Sequence, residues 1–211
     1  MEVHLDPPPG FVGFDHQRAV GGYSRSLPHW RQQGATYAVT YRLADSLPQS
    51  AIEEIENDSL READPDLARH RLRESYLDKG LGSCVLSRNE IREVVYDGWL
   101  YWHDARYELG CFVIMPNHVH VIVRPISESL EKTLQSRKGN SAREINQRLG
   151  RSGALWQAES YDRIIRDREY LWRCIQYIGR NPQRAGLGQS SYSLWINPQW
   201  KQLGWAFAAK D

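Results

Sequence analysis

Apolar residues recur along this chain with two distinct periods, and each period predicts a kind of element. Residues 36–43 alternate, with Tyr37, Val39, Tyr41 and Leu43 on one face, the pattern of a half-buried strand. Residues 106–115 alternate again and place Tyr107, Leu109, Cys111, Val113 and Met115 together. Pro116 and Asn117 supply turn chemistry before a strand at 118–124, so these two strands are expected to form a β-hairpin. Between the first strand and this hairpin the pattern is helical. An acidic helix starts from Pro48, and Asp64-Pro65 caps a second that stops near Gly80. Ser87 with Glu90 reads as a capping box opening a third helix through Ile91, Val94 and Val95. After the hairpin, Leu130 and Leu134 mark a helix that Gly139-Asn140 is expected to break. Ser141 with Glu144 then reads as a second capping box, for a helix ending at Gly150. A last helix starts near Asp167 and is expected to stop about Asn181, because Pro182 disfavours helical geometry in the residue before it. Residues 1–34 read as a partly irregular arm with no functional role. The tail at 188–211, with Trp195, Trp200 and Trp205, has weak periodicity and no assigned element.

With 211 residues, 41% hydrophobic and 25% charged, the chain fits one folded domain of ordinary size. The three cysteines, Cys84, Cys111 and Cys174, lack metal-type spacing, and no apolar run approaches the roughly 18 residues needed to cross a bilayer. The first residues carry no secretory-signal pattern, so a cytoplasmic, non-membrane protein is expected. Net charge is only +1, yet its distribution is uneven. Residues 45–97 hold thirteen acids against seven bases, whereas residues 124–184 hold thirteen bases against seven acids. The basic segment is the candidate nucleic-acid face.

Chemistry enters with two histidines. In a strand His118 and His120 project to one side and Val119, Val121 and Val123 to the other, so two imidazoles are aimed together while the valines anchor the strand. Such a pair leaves positions free on a catalytic metal, and a third protein ligand is required. On the last helix Leu171, Cys174, Ile175 and Ile178 form the apolar stripe, with Tyr170, Arg173, Tyr177 and Asn181 on the adjoining row. Asn181 sits one turn beyond Tyr177, so the two can share a site. A phenol is a poor nucleophile until its proton is removed or its anion stabilised, tasks suited to a metal and to Arg173. Attack on a phosphodiester would store the bond energy as a phosphotyrosine, allowing later rejoining. On physical grounds Tyr161, Tyr170 and Tyr192 are rival nucleophiles, but only Tyr177 has an amide one turn later and a stop signal directly after it.

Three segments carry a family resemblance: MPNHVHVIV at 115–123, GALWQAESYDRIIRD at 153–167 and YIGRNPQRAGL at 177–187. In this order they resemble the REP-associated tyrosine transposases, a branch of the single-tyrosine HUH transposases, over about residues 28–187. The resemblance implies an α+β, ferredoxin-like sandwich at 35–187, with a central antiparallel sheet, helices on one or both faces and a helical insertion at about 48–103. It implies Tyr177 as nucleophile and His118, His120 and Asn181 as ligands of Mg²⁺ or Mn²⁺, although ligand softness alone leans toward zinc or manganese. The implied partner is single-stranded DNA with REP-like palindromic hairpins, bound by a monomer or a homodimer. Lys132, Arg137, Lys138, Arg143, Arg163, Arg166 and Arg173 are the candidate phosphate contacts and Trp156 a candidate base platform. The rival readings are a domesticated hairpin-binding protein without cleavage activity and an HUH replication initiator or relaxase. Retention of all four site residues argues against the first, and the YIGRNP context against the second.

Overall fold

The computed structural model describes residues 4–24 and 28–208; the ends of the predicted arm and tail at 1–3 and 209–211, and residues 25–27, lie outside the described residues. Alternation builds the strands expected at 36–43, 106–115 and 118–124, and two further strands, at 161–164 and 193–196, join them without having been expected. Strands β3 (Tyr37–Arg42), β4 (Tyr107–Ile114), β5 (His118–Pro125), β6 (Tyr161–Ile164) and β7 (Ser193–Ile196) form one antiparallel sheet in the order β6-β3-β5-β4-β7. Its first four members follow the ferredoxin-like order, with helices before β4 and after β5. On one face, α3 (Asn89–Leu100) and α4 (Leu130–Arg148) pack on Tyr37, Val39, Tyr41 and the β5 valines. On the other, α5 (Arg168–Arg184) presents Leu171, Ile175 and Ile178 to Cys111, Val113 and Ile122. The histidine face of β5 therefore looks toward α5.

Of the helical insertion expected at about 48–103, α1 (Gln49–Ser59) and α2 (Pro65–Asp78) close a small core of their own around Leu47, Ile55 and Leu77, whereas α3 belongs to the main core against the sheet. Asp64 caps α2 by accepting from the Leu67 N–H at 3.1 Å, and Gly80 leaves the helix at positive φ, both as expected.

Four local expectations are corrected. The capping box at Ser87 does not form: residues Val85–Ser87 make a 3-10 turn, and α3 starts at Asn89 with no side-chain cap. Buried Leu86 is tied to the hairpin turn through its N–H to the Pro116 carbonyl, and Arg92 donates to the Leu86 and Ser87 carbonyls instead. Nor does Gly139-Asn140 break α4, which runs unbroken. Burial of Leu130, Leu134, Arg137, Ser141 and Ile145 along one side outweighs the ~0.5–1 kcal/mol cost of a helical glycine. Ser141 is thus an interior residue; its hydroxyl donates to the Arg137 carbonyl at 2.7 Å and accepts from the Trp156 indole at 3.0 Å. Because a Cβ at Gly139 would meet nothing within 4 Å, Gly139→Ala is expected to stabilise the protein by roughly 0.5–1 kcal/mol in a thermal or urea melt. A destabilised variant would contradict the continuous helix.

The third correction concerns α5, which carries Pro182 inside its last turn rather than stopping at Asn181. The missing N–H falls close enough to the end that the Ala185 N–H still closes onto the Asn181 carbonyl at 3.1 Å. The fourth concerns β4, where a register shift between Leu109 and Cys111 turns the alternation over. Tyr107 and Leu109 lie in one core with Phe112 and Ile114, while Cys111, Val113 and Met115 lie in the other. Gly110 sits at the shift because a Cβ there would come within 2.4 Å of the Trp200 ring.

Arm and tail both have structure. The arm forms a hairpin of β1 (Gly21–Ser24) and β2 (Pro28–Arg31). The tail supplies β7, the sheet's fifth strand, and α6 (Pro198–Gln202), and buries Trp200 and Trp205. Among the described residues no helix is long and apolar enough to cross a membrane.

Candidate active site

His118 and His120 emerge from β5 side by side, with ring centroids 4.7 Å apart. Each is held by one ring nitrogen. The Nδ1 of His118 is 2.7 Å from the Asn117 side-chain oxygen, and the Nδ1 of His120 is 2.8 Å from the hydroxyl of Thr40, its partner across the β3–β5 register. These bonds leave the two Nε2 atoms facing the site. From α5, Asn181 brings its amide nitrogen to 3.3 Å from His120 Nε2, and the Tyr177 ring stands edge-on to His120 at 5.4 Å. The four residues singled out from the sequence thus converge on one place.

That place is buried: His118 and Asn181 are 0% exposed and His120 4%. Burial pushes the His120 imidazolium down to about 3, and His118 well below the usual range, where the neighbouring His120 adds to the effect. Both rings are therefore neutral near pH 7, the form in which imidazole donates a lone pair. His118 Nε2 and Asn181 Oδ1 are buried with no hydrogen-bond partner. An orphaned imidazole nitrogen and an orphaned amide oxygen in a site with few proton donors suit a cation, so these residues fit a divalent metal. Among the described residues, no three His, Cys, Asp or Glu side chains are already closed around one point as a metal centre.

One participant was not foreseen. Glu74 reaches in from α2, accepts a short hydrogen bond from the Tyr177 hydroxyl and lies 3.3 Å from His120 Nε2. Burial raises its pKa, and burial followed by the charge of Glu74 raises that of Tyr177. Glu74 had no recognisable signal, being one acid in an acidic helical stretch. The cation nearest the nucleophile is also different from the expected one. Arg184 lies over the Tyr177 ring at 5.2 Å and pairs with Asp78 at 3.2 Å, whereas Arg173 lies over the Tyr170 ring.

The rival tyrosines are placed otherwise. Tyr161 stacks on His70 with centroids 4.0 Å apart, Tyr170 stands beside Arg166 and Arg173, and Tyr192 packs beside the core in the tail. A cavity of about 330 Å³ bordered by His120, Tyr177, Tyr161 and Arg163 adjoins a larger one of about 870 Å³. Arg163 and Arg166 from the expected set line the larger cavity, and so do Arg69 and Arg73 from the nominally acidic insertion and Trp30 from the arm. Averaging charge along the chain hid those arginines, since α2 turns them toward the cavity. Two expected DNA contacts are buried instead: Arg137 bonds the Gly98 carbonyl, and Trp156 packs on Tyr41 and bonds Ser141. Lys138 donates to the Gln157 and Ala158 carbonyls, while Lys132 and Arg143 are exposed on α4.

A search of curated proteins finds no match. Among solved structures, a REP-associated tyrosine transposase bound to a REP hairpin is similar at 16% identity, with TM-score 0.46, covering 79% of this chain and 75% of that one. A protein described as a candidate transposase from Deinococcus radiodurans R1 is similar at 13% identity, with TM-score 0.32, covering 72% of this chain and 93% of that one. The family model described as "Transposase IS200 like" matches residues 89–181, a span that opens with α3 and holds His118, His120, Tyr177 and Asn181. Over that span, a little under half of its length, the chain is similar to the IS200-like transposases.

Proposed function

We propose that this protein is a metal-dependent transposase of the REP-associated tyrosine kind, which nicks and rejoins single-stranded DNA at hairpin-forming repeats through a phosphotyrosine link. The observation that carries this reading is the meeting of Tyr177 and Asn181, one turn apart on α5, with the co-facial imidazoles of β5. His118, His120 and Asn181 would hold Mg²⁺ or Mn²⁺, which when bound supplies Lewis-acid stabilisation of a phosphate oxygen. Thr40 and Asn117 fix the two rings. Tyr177 is the nucleophile: its hydroxyl oxygen bonds to phosphorus as the bond to the leaving deoxyribose oxygen breaks, the phenol proton passes in net to that leaving oxygen, and the reverse reaction reseals the strand. Arg184, beside the phenol ring, stabilises the anion as the proton leaves. Arg163, Arg166 and Arg173 border the cavities that lead to the site and would track the DNA backbone, with Lys132 and Arg143 as outer contacts. The reading places the protein in the cytoplasm, with its DNA.

The test is cleavage of a labelled single-stranded hairpin with Mn²⁺. Cleavage is expected to stop in EDTA and to fall on the order of 10²-fold or more in His120→Ala. Cleavage that persists in EDTA would overturn the metal assignment.

A further inference from the structure

Two imidazoles and an amide make a neutral donor set, yet the cations of this reading are hard ions that prefer charged oxygen ligands. Glu74 is the carboxylate that touches the pair. Its Oε2 lies 3.3 Å from His120 Nε2, the same nitrogen that the Asn181 amide nitrogen approaches to 3.3 Å. Two atoms bound to one ion at ~2.1 Å stand about 3.0 Å apart at a right angle and ~3.4 Å apart at a tetrahedral angle. The contact between Glu74 and His120 matches the edge of a coordination shell. His120 Nδ1 is engaged with Thr40, and a cation held at Nε2 would have the Glu74 carboxylate beside it to offset its charge.

Resting on the metal-dependent reading above, we infer that Glu74, carried by the inserted helix α2, is an anionic ligand of the divalent metal together with His118, His120 and Asn181. Glu74 also accepts the hydrogen bond of Tyr177, so the same carboxylate would join the nucleophile to the metal. The insertion is then part of the metal site. It supplies the charge that makes a hard cation acceptable to two imidazoles.

The experiment measures Mn²⁺ binding directly, by loss of the free-ion EPR signal on titration of the DNA-free protein, so no activity is read. Wild type is expected to bind one Mn²⁺. Glu74→Gln, which keeps the shape and removes the charge, is expected to weaken binding at least tenfold. Asp78→Asn removes a charge from the same helix and is expected to change binding less than threefold. Thermal melts without metal establish that each variant is folded, and Glu74→Asp provides a second variant, expected to bind between wild type and Gln. Equal binding by wild type and Glu74→Gln would overturn the ligand role while leaving the histidine site standing. Equal weakening by Asp78→Asn would overturn it in favour of a diffuse charge effect. If wild type binds no Mn²⁺, or if His118→Ala and His120→Ala bind as well as wild type, the metal reading falls and this inference with it.

Discussion

Tyr177→Phe is expected to abolish both the covalent protein–DNA adduct and strand cleavage, with a rate loss on the order of 10⁴-fold or more, because the substitution removes the one atom that forms the new bond. The ring stays, so its edge-on packing against His120 and the cation over its face should survive. What is lost is the hydroxyl and its hydrogen bond to Glu74. Hairpin DNA binding is therefore expected to remain within a few-fold of wild type, as read by a gel-shift or anisotropy titration. The same rate loss accompanied by lost DNA binding would instead point to damage to the cavity.

The largest expected effect on stability lies far from the chemistry. Trp200 is buried, stacks over the gap left by Gly110 and donates its indole N–H to the Pro9 carbonyl at 2.8 Å. One side chain thus joins the tail, the arm and the bulge of β4. Trp200→Ala is expected to cost about 3–5 kcal/mol in urea or thermal unfolding, as expected for truncating a buried indole and leaving its cavity. A cost below about 1 kcal/mol would contradict the tail as an integral layer of the domain.

The parts of this molecule that were legible in the sequence are those where local pattern and tertiary packing agree. The β3 alternation, the valine and histidine faces of β5, the Asp64-Pro65 cap and the stripe of α5 were readable because each is satisfied by its own element. Wherever packing competed with a local signal, packing prevailed. Gly139 and Pro182 are helix-breaking residues on propensity alone, but each sits in a helix whose apolar side is already committed. The β4 bulge was unreadable because the ring that packs against Gly110 at the shift, that of Trp200, is ninety residues away in the chain.

The candidate site divides along the same line. His118 with His120, and Tyr177 with Asn181, are pairs at the spacing of a single element, so their co-facial placement followed from strand and helix geometry. Bringing the two pairs together needed the family resemblance. Glu74 and Arg184 were missed because their roles depend on how α2 lies against α5, and no periodicity encodes that. The exposed surface of the predicted basic segment was overestimated for a similar reason: Arg137 ties α4 to α3 and Trp156 ties it to Tyr41 of the sheet.

The central claim is that Tyr177 forms the bond to DNA, and one measurement addresses it most directly. The protein is incubated with a suicide single-stranded hairpin and Mn²⁺, the adduct is digested with nuclease and trypsin, and the nucleotide-bearing peptide is sequenced by mass spectrometry. Cleavage after Arg173 and Arg180 isolates Tyr177 in the peptide CIQYIGR, while Tyr161, Tyr170 and Tyr192 fall in separate peptides. The account predicts the nucleotide on CIQYIGR alone. A nucleotide on any of the other three tyrosine peptides, with CIQYIGR unmodified, would contradict it.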